Sequence, residues 1–296
     1  NKMFKKSIQF SRLFSVRTTS RLNSNNVGKI RSLSSDSLRG GILEFQIKEN
    51  VGFVTLNRPD KMNACTMDTF EGLIELAREI DANNDVRAVV LHGNGKCFSA
   101  GIDLSSFSST DVIHRAFDKP DAKHEGNVVQ LCSLVWQRLR VPVVAALHGV
   151  VYGAGLQISL GADIRYAHSQ TKFSIMEAKH SLIPDMGITV TARNIVRHDY
   201  LKYLTYTGAV IDARQAKEFG LTTFVTEQDP LEAASKLASQ LATQSPKQLE
   251  SAKQLYRESF IDQEQERHSL TLEEQLQSKL LNDPQFLKNM AKMMKK

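Results

Sequence analysis

The segment HGVVYGAGLQ at residues 148–157 comes directly after an apolar run at residues 143–147. The apolar run is typical of a buried strand, and the residues from Leu156 onward predict the start of a helix. The small residues between them allow a ligand to approach the backbone closely. A helix that begins after Gly153 would direct N–H groups, which have no partner inside the helix, towards whatever lies in front of it.

A second segment, KCFSAGIDL at residues 96–104, follows an apolar strand pattern and turns through Ala100 and Gly101. One N–H group from each turn would form an oxyanion hole if the two converged on the same oxygen atom. Glycine-rich turns after buried strands are common, so a purely structural role stays open on the residues alone. The spacing excludes two phosphate-binding motifs, because residues 95–104 do not contain GxxxxGK[ST] and residues 149–155 do not fit GxGxxG.

Strand and helix patterns alternate around these two turns. Residues 42–56 alternate apolar and polar side chains about a central Asn-Val-Gly, which predicts a hairpin. Residues 66–81 predict a helix capped by Thr66, whereas residues 104–126 are polar and irregular and predict a mobile loop. Helical patterns dominate from residue 231 onward. Strands that alternate with helices indicate an α/β fold built in layers.

The formal net charge of +6 is concentrated at the start of the chain. Residues 1–39 contain nine Lys or Arg residues and one acid, and the remainder contains 29 bases and 31 acids. The net charge of residues 40–296 is therefore close to zero, which argues against nucleic-acid binding. The chain also has no run of eighteen apolar residues, so the sequence predicts no membrane span.

Residues 1–39 are rich in Arg and Ser, and the apolar residues between Phe4 and Phe14 are spaced to fit one helical face. This composition is typical of a mitochondrial transit peptide, with a basic disordered arm as the alternative. We therefore expect the protein in the mitochondrial matrix. Cys65, Cys97 and Cys132 are too widely spaced for a disulfide framework or a CxxC metal site, which favours a reducing compartment and no bound metal.

A series of short motifs then follows in a fixed order along the chain. They are LNRP at 56–59, FSAGIDL at 98–104, HG at 148–149 with GAG at 153–155, ADIRYA at 162–167, FSIME at 173–177, IPDMG at 183–187, YTG at 206–208 and AKEFGL at 216–221. Together they resemble the crotonase (enoyl-CoA hydratase/isomerase) superfamily. SAGIDL and DIRY are most similar to the mitochondrial delta(3,5)-delta(2,4)-dienoyl-CoA isomerases.

The resemblance implies an α/β fold, a crotonase-type spiral of ββα units, over residues 40–230. A helical C-terminal region over residues 231–296 would follow, which family members use to form a homotrimer or homohexamer. Leu272, Leu276 and Leu280 are candidates for that contact, or for packing on the core of their own chain.

The resemblance also places the binding groups. The oxyanion hole would be the backbone N–H groups of Ile102 and Ala154. The family usually has glycine at the second position, and alanine supplies the same N–H if the turn needs no positive φ there. Arg58, Lys61 and Ala100 match the CoA-binding positions, with a solvated surface charge as the alternative for Lys61. CoA arrives as part of an acyl-CoA thioester substrate, so no separate cofactor is expected.

The acid and base positions indicate the reaction. Family hydratases use two glutamates, at the positions of Gln157 and Glu177, and dienoyl isomerases use a third acid, at Asp185. Glutamine cannot take a proton from water, so Gln157 becomes a pocket residue and isomerisation is favoured over hydration. Without the resemblance, Glu177 would be an exposed acid at a strand end and Asp185 an ordinary turn residue.

The sequence therefore predicts an enzyme of fatty-acid β-oxidation that isomerises dienoyl-CoA or enoyl-CoA double bonds through a thioester enolate. Enoyl-CoA hydration, or another acyl-CoA reaction at the same oxyanion hole, is an alternative. A non-catalytic relative that binds acyl-CoA or RNA is another, because a fold does not imply a function. Asp163 and Arg165 are expected to form a structural ion pair rather than part of the site.

Overall fold

The structure is a computed structural model that describes residues 39–107, 110–120, 125–260 and 262–293. The predicted transit peptide, residues 1–39, lies outside these ranges except for its last residue. Within the described ranges, no helix combines the length and the apolar character that crossing a membrane requires.

Nine short strands are distributed over two sheets within the described residues. They are β1 (Leu43–Lys48), β2 (Val51–Leu56), β3 (Ala88–Gly93), β4 (Val143–Leu147), β5 (Val150–Tyr152), β6 (Ile164–His168), β7 (Lys172–Ser174), β8 (Ile211–Asp212) and β9 (Phe224–Thr226). Six of them form the main sheet in the order β1-β2-β3-β4-β6-β9, and the other three form a sheet in the order β5-β7-β8.

The main sheet begins with the predicted hairpin, in which β1 and β2 are antiparallel with Lys48 opposite Val51. The pairs that follow, from β2–β3 to β6–β9, are parallel. Parallel strands need a crossover connection between them, which is why helices separate most of them along the chain. The second sheet is mixed, with β5 parallel to β7 and β7 antiparallel to β8.

Eleven helices complete the described part of the chain. They are α1 (Met67–Ala82), α2 (Thr110–Phe117), α3 (Val128–Arg138), α4 (Ala154–Leu160), α5 (Ile188–Thr191), α6 (His198–Thr207), α7 (Ala213–Phe219), α8 (Pro230–Ala242), α9 (Pro246–Phe260), α10 (Gln263–Leu281) and α11 (Pro284–Met293). Short 3-10 turns lie at Arg39–Gly41, Pro59–Lys61, Leu104–Phe107 and Met176–His180.

Both faces of the main sheet are covered. Val89 and Leu91 of β3 belong to the large core that also contains side chains of α1 and α3. Val90, between them, faces the other side and packs with Ala234 and Ala238 of α8. Strands buried on both faces read as continuous apolar runs, and this burial explains the run that the sequence shows at residues 88–91.

Side-chain caps fix the starts of the two helices that flank the site. Thr66 caps α1, as predicted, in a reciprocal pair of hydrogen bonds with Thr69. Asn127 caps α3 in the same way with Gln130. Each such cap contributes about 1 kcal/mol to helix stability.

Three expectations from the sequence are corrected. The stretch 104–126 contains helix α2 in its described part, because Ile113, Ala116 and Phe117 lie at helical spacing and face an apolar cavity. The ion pair expected between Asp163 and Arg165 is replaced by one between Asp163 and Lys253 at 2.7 Å. The guanidinium of Arg165 instead donates to two backbone carbonyl oxygens.

The third correction concerns the leucines of α10. Leu272 and Leu276 are 44% and 40% exposed, so they do not pack on the core of their own chain, whereas Leu280 is half-buried. The side chains of α10 that face inward are Leu270, Glu273 and Gln277. The expected trimer or hexamer contact through these leucines stays a prediction.

Candidate active site

The two small-residue turns lie against each other. The N–H of Tyr152 donates to the carbonyl of Ser99 at 3.0 Å, which joins the second sheet to the FSAGIDL segment. A methyl group built on Gly101 would lie 3.2 Å from the carbonyl oxygen of Tyr152 and 3.8 Å from the nitrogen of Ala154. The backbone just before Ile102 therefore approaches the first residue of α4.

Ile102 and Ala154 each present an N–H group that has no acceptor among the described residues. Ile102 forms a parallel bridge with Cys65 that uses the carbonyl of Gly101 and the N–H of Asp103, and leaves its own N–H unused. Ala154 opens α4, where an N–H has no acceptor within the helix. The positive φ of this turn, 48°, falls on the preceding glycine, so alanine is unstrained. Both predicted oxyanion-hole donors are thus available at adjoining turns.

Glu177 lies beside these turns, in the 3-10 turn that follows β7. Its residue is 8% exposed, and a methyl group built on Gly153 would lie 3.6 Å from its Oε1 atom. Burial raises the pKa of Glu177 to about 7, although hydrogen bonds to its carboxylate partly oppose this. Its Oε2 atom is buried without a hydrogen-bond partner among the described residues. A carboxyl group with a pKa near neutrality and an open oxygen is suited to proton transfer.

Asp185 is the second buried acid, with 9% of the residue exposed. Burial raises its pKa well above the ordinary aspartate value, and the negative charges of Glu273 and Glu177 raise it further. A hydrogen bond from Gln277 partly opposes that shift. Asp185 therefore keeps its proton at a pH where an exposed aspartate is ionised.

Gln157 connects the segments that carry the two acids. Its Nε2 donates to Oε1 of Glu177 at 2.7 Å, and its Oε1 accepts the N–H of Met186, the residue after Asp185, at 3.0 Å. The side chain is 1% exposed. Because both ends of this amide are used, Gln157 positions the carboxyl group of Glu177 without itself being able to exchange a proton.

An apolar cavity of about 90 Å³ adjoins these groups. Ile102 and Asp185 line it at one end, and α2, α10 and α11 supply much of the remaining wall, with Phe117, Phe286 and Met290 among the lining side chains. A cavity whose wall is apolar apart from the carboxyl group of Asp185 and the amide of Gln277 fits an acyl chain whose reacting carbon lies near that carboxyl group.

The residues matched to CoA binding lie within the FSAGIDL turn or in the segment at residues 58–62 that contacts it. Arg58 is partly buried and pairs with Asp103 at 3.0 Å, the residue after Ile102. Lys61 is exposed at the end of a 3-10 turn. The N–H of Ala100 already donates to Met62 at 2.9 Å, so only its carbonyl group is open to a ligand. A CoA-binding role for these three residues stays a prediction.

Glu273 and Gln277 of α10 are site residues that the sequence reasoning missed. Both are buried, and both act on Asp185 or on the backbone beside it. A helical spacing of four residues does place them on one face, but the neighbouring leucines suggested that a different face is buried. Side chains from the C-terminal region therefore complete the site.

Comparison with known structures assigns the fold. An enoyl-CoA hydratase/isomerase from Pseudoalteromonas atlantica T6c superposes with a TM-score of 0.75 at 25% identity, over 86% of this chain and 97% of the other. One from Mycobacterium paratuberculosis gives a TM-score of 0.76 at 24% identity, over 85% and 98% of the two chains. The protein therefore has the crotonase fold, as the motifs predicted.

Comparison of sequences assigns the family. The family model for enoyl-CoA hydratase/isomerase matches residues 46–296, and the chain belongs to this family of acyl-CoA enzymes. A short-chain-enoyl-CoA hydratase from Clostridium acetobutylicum is 31% identical over 73% of this chain and 80% of its own length. The mitochondrial delta(3,5)-delta(2,4)-dienoyl-CoA isomerase of Rattus norvegicus is 30% identical over 70% of this chain and 65% of its own length.

Proposed function

We propose that the protein isomerises the double bonds of a dienoyl-CoA through a thioester enolate. The observation that carries the proposal is the pair of buried carboxyl groups, Glu177 beside Gly153 of the second turn and Asp185 in the wall of the apolar cavity. Burial raises the pKa of both groups, and the negative charges of Glu273 and Glu177 raise that of Asp185 further, which suits Glu177 to the role of base and Asp185 to that of acid. An isomerase needs both, because it removes a proton at one carbon and returns one at another.

In the proposed reaction, Glu177 removes a proton from C2 of a 3,5-dienoyl thioester, and Asp185 donates a proton to C6. The double bonds then lie at C2 and C4, in conjugation with the thioester. The substrate gains and loses one proton, and a return proton transfer to Asp185 and from Glu177 restores the enzyme. Because Glu177 has a pKa of about 7, a substantial fraction is ionised and able to act as the base near neutral pH.

The N–H groups of Ile102 and Ala154 would hold the thioester oxygen during this transfer. Negative charge grows on that oxygen as C2 loses its proton, so both hydrogen bonds become stronger in the transition state than in the bound substrate. Donors that are already in position need no reorganisation at that moment, and this is the main source of their catalytic effect.

Hydration of enoyl-CoA is the second candidate, and the 31% identity to a short-chain-enoyl-CoA hydratase favours it. Hydration needs groups that hold a water and take its proton. Gln157 can hold water but cannot take a proton, and both ends of its amide already have protein partners. For this reason isomerisation ranks first.

Parallel spectrophotometric assays separate the two reactions. The full chain is incubated with a 3,5-dienoyl-CoA, whose isomerisation adds ultraviolet absorbance, and with a 2-enoyl-CoA, whose hydration removes it. We expect isomerisation to be the faster reaction. Glu177→Gln and Asp185→Asn should each lower its turnover by about 10²-fold or more, since each removes a general acid or base.

Glu79→Gln, an exposed position on α1, is the matched control and should keep the wild-type rate. Wild-type turnover in either site variant would refute the proposal. A faster hydration than isomerisation would replace it by the second candidate.

We also propose which residues contact CoA, where the enzyme is located and how its copies assemble. The CoA portion of the substrate would contact Arg58, Lys61 and the carbonyl of Ala100, and no separate cofactor would take part. The basic leader would direct the chain to the mitochondrial matrix, and the C-terminal helices would join copies into a homotrimer or homohexamer. Light scattering during size-exclusion chromatography measures the oligomer, and imaging of a tagged chain with and without residues 1–39 measures the location.

A further inference from the structure

The loop that carries Asp185 is held in place by side chains of α4 and α10. Three backbone N–H groups of the loop and one in the first turn of α5 donate to side-chain oxygen atoms instead of to other backbone groups. The bonds are Ile183 to Gln277 at 3.2 Å, Met186 to Gln157 at 3.0 Å, Gly187 to Glu273 at 2.9 Å and Thr189 to Glu273 at 3.0 Å. Because buried N–H groups require acceptors, these three side chains determine the course of the loop.

Glu273 makes the largest share of these contacts. Its carboxylate accepts the N–H of Gly187, the N–H of Thr189, the hydroxyl of Thr189 at 2.6 Å and the side-chain amide of Gln130 at 3.2 Å. All four partners are donors, an arrangement that a carboxylate satisfies and a carboxylic acid does not. The residue is 3% exposed, and burial raises the pKa of Glu273, whereas the hydrogen bonds from Thr189, Gly187 and Gln130 lower it and favour the carboxylate.

This charge acts directly on Asp185. Among the described residues, the titratable groups that interact with Asp185 are Glu273 of α10, Glu177 of the 3-10 turn and the Cys132 thiol of α3. Both glutamates raise the pKa of Asp185, and the neutral Gln277 opposes them. Burial raises the pKa of the Cys132 thiol, and the charges of Cys65 and Asp185 raise it further.

We propose that Glu273 is a positioning residue for the reaction, which holds the Asp185 loop through its hydrogen bonds and keeps a negative charge beside the Asp185 carboxyl group. This proposal rests on the proposed function, in which Asp185 is the proton donor. The donor must carry a proton at the start of each turnover. A fixed neighbouring negative charge favours the protonated form, and a fixed loop aims that proton at the substrate.

Glu266 provides a matched comparison on the same helix. Its carboxylate pairs with Arg138 of α3, and both side chains are 15% exposed. That pair joins α10 to α3, as the contact between Glu273 and Gln130 does, but it does not contact the Asp185 loop. A residue that merely anchors α10 would therefore behave like Glu266.

The test is the pH profile of kcat/KM for dienoyl-CoA isomerisation in the full chain. We expect Glu273→Gln to move the alkaline limb to lower pH by about one unit, because Asp185 loses its proton more readily once the neighbouring charge is removed. Glu266→Gln should leave that limb in place. An alkaline limb that is the same in Glu273→Gln and wild type would overturn the proposal. Wild-type turnover in Asp185→Asn would instead overturn the proposed function itself.

A second variant separates the effect of the position of the Glu273 carboxylate from the effect of its charge. It also keeps the proposal testable if Glu273→Gln does not fold. Glu273→Asp keeps the charge but shortens the side chain, so it should keep the wild-type alkaline limb and lower kcat by about tenfold or more. Glu266→Asp, the control, should keep the wild-type kcat. Equal kcat values in these two aspartate variants would overturn the positioning role.

Discussion

The side-chain amide of Gln157 lies 2.7 Å from Oε1 of Glu177 and donates a hydrogen bond to it. The bond occupies one oxygen of the carboxylate and leaves Oε2, which has no partner among the described residues, as the atom available for proton transfer. Because Gln157 also accepts the N–H of Met186 at 3.0 Å, its amide cannot rotate without losing both partners. A neutral residue at this position thus sets which oxygen of Glu177 is left without a hydrogen-bond partner among the described residues.

Gln157→Glu would place a second carboxyl group within hydrogen-bond distance of Glu177. Two carboxyl groups so close share one proton, and their two titration steps separate. The new acid could hold water and exchange a proton with it, so we expect a rise in the rate of 2-enoyl-CoA hydration at pH 7. The measurement is the loss of enoyl absorbance. Gln157→Leu, which removes the hydrogen bonds and adds no acid, is the control and should not gain this activity. Equal hydration rates in wild type and Gln157→Glu would contradict the assignment of the position.

Glu177→Gln should stabilise the fold at alkaline pH while it removes activity. Burial raises the pKa of Glu177 from 4.5 to about 7, so the folded protein binds this proton more tightly than the unfolded chain does. The ionised carboxylate therefore lowers the free energy of unfolding. The loss is zero below pH 4.5 and reaches its full value, about 3 kcal/mol, above pH 7. Glutamine has no such cost.

Urea unfolding at pH 5 and pH 8 measures this difference. We expect the stability gain of Glu177→Gln over wild type to be larger at pH 8 than at pH 5. Glu79→Gln, exposed on α1, should show no pH-dependent gain. A gain for Glu177→Gln that is the same at both pH values would contradict the raised pKa.

Phe286→Ala should widen the acyl pocket. The side chain of Phe286 is 8% exposed and lines the cavity together with Asp185. Truncation should cost about 3 kcal/mol of stability, because it leaves a cavity in an apolar wall. It should also increase kcat/KM for substrates with long acyl chains relative to kcat/KM for substrates with short ones.

Leu287→Ala is the control for this change, because Leu287 is the next residue of α11 and is 54% exposed. A series of substrates that differ only in chain length measures the preference. The assignment of the pocket fails if Phe286→Ala and Leu287→Ala have the same chain-length profile.

The sequence predicted those parts of the fold whose signal is local. The β1–β2 hairpin, helix α1 and the helical patterns from residue 231 onward each have a clear period of alternation or a clear helical face, and the structure confirms them. Strand β8 has two residues and β5 and β9 have three each, which is too short for an alternating pattern to be recognised. Helix α2 lies in a polar stretch, and only its contact with the cavity explains why it is helical.

The residues of the candidate site also differ in whether a local sequence pattern identifies them. Ile102 and Ala154 follow recognisable turns, and Gln157, Glu177 and Asp185 follow recognisable motifs, so each could be named from the sequence. Glu273 lies in the C-terminal helix, where no local pattern connects it to Asp185. Its helix also presents Leu272 and Leu276 to solvent and buries two polar residues, Glu273 and Gln277, beside Leu270, which is a partial reversal of the expectation that apolar side chains mark the buried face. Only the tertiary contact with the Asp185 loop explains that reversal.

Ala154→Pro tests the oxyanion hole, because it deletes a single backbone N–H. Ala154 is the first residue of α4, the one helical position at which proline is well tolerated, since that N–H has no acceptor within the helix. The preceding residue is glycine, so no Cβ clashes with the proline ring. We therefore expect the thermal stability to stay near the wild-type value while kcat falls by about 10²–10³-fold.

Ala154→Gly keeps the N–H and is the matched control. We expect it to retain turnover within about tenfold of wild type, with a small loss of stability from the added backbone freedom. Circular dichroism melting and the isomerisation assay, run on both variants, separate the loss of the donor from damage to the helix. If Ala154→Pro folds and turns over at the wild-type rate, the N–H of residue 154 does not hold the thioester oxygen. Charge stabilisation would then have to come from Ile102 alone, and an enolate mechanism at this site would lose half of its electrostatic support.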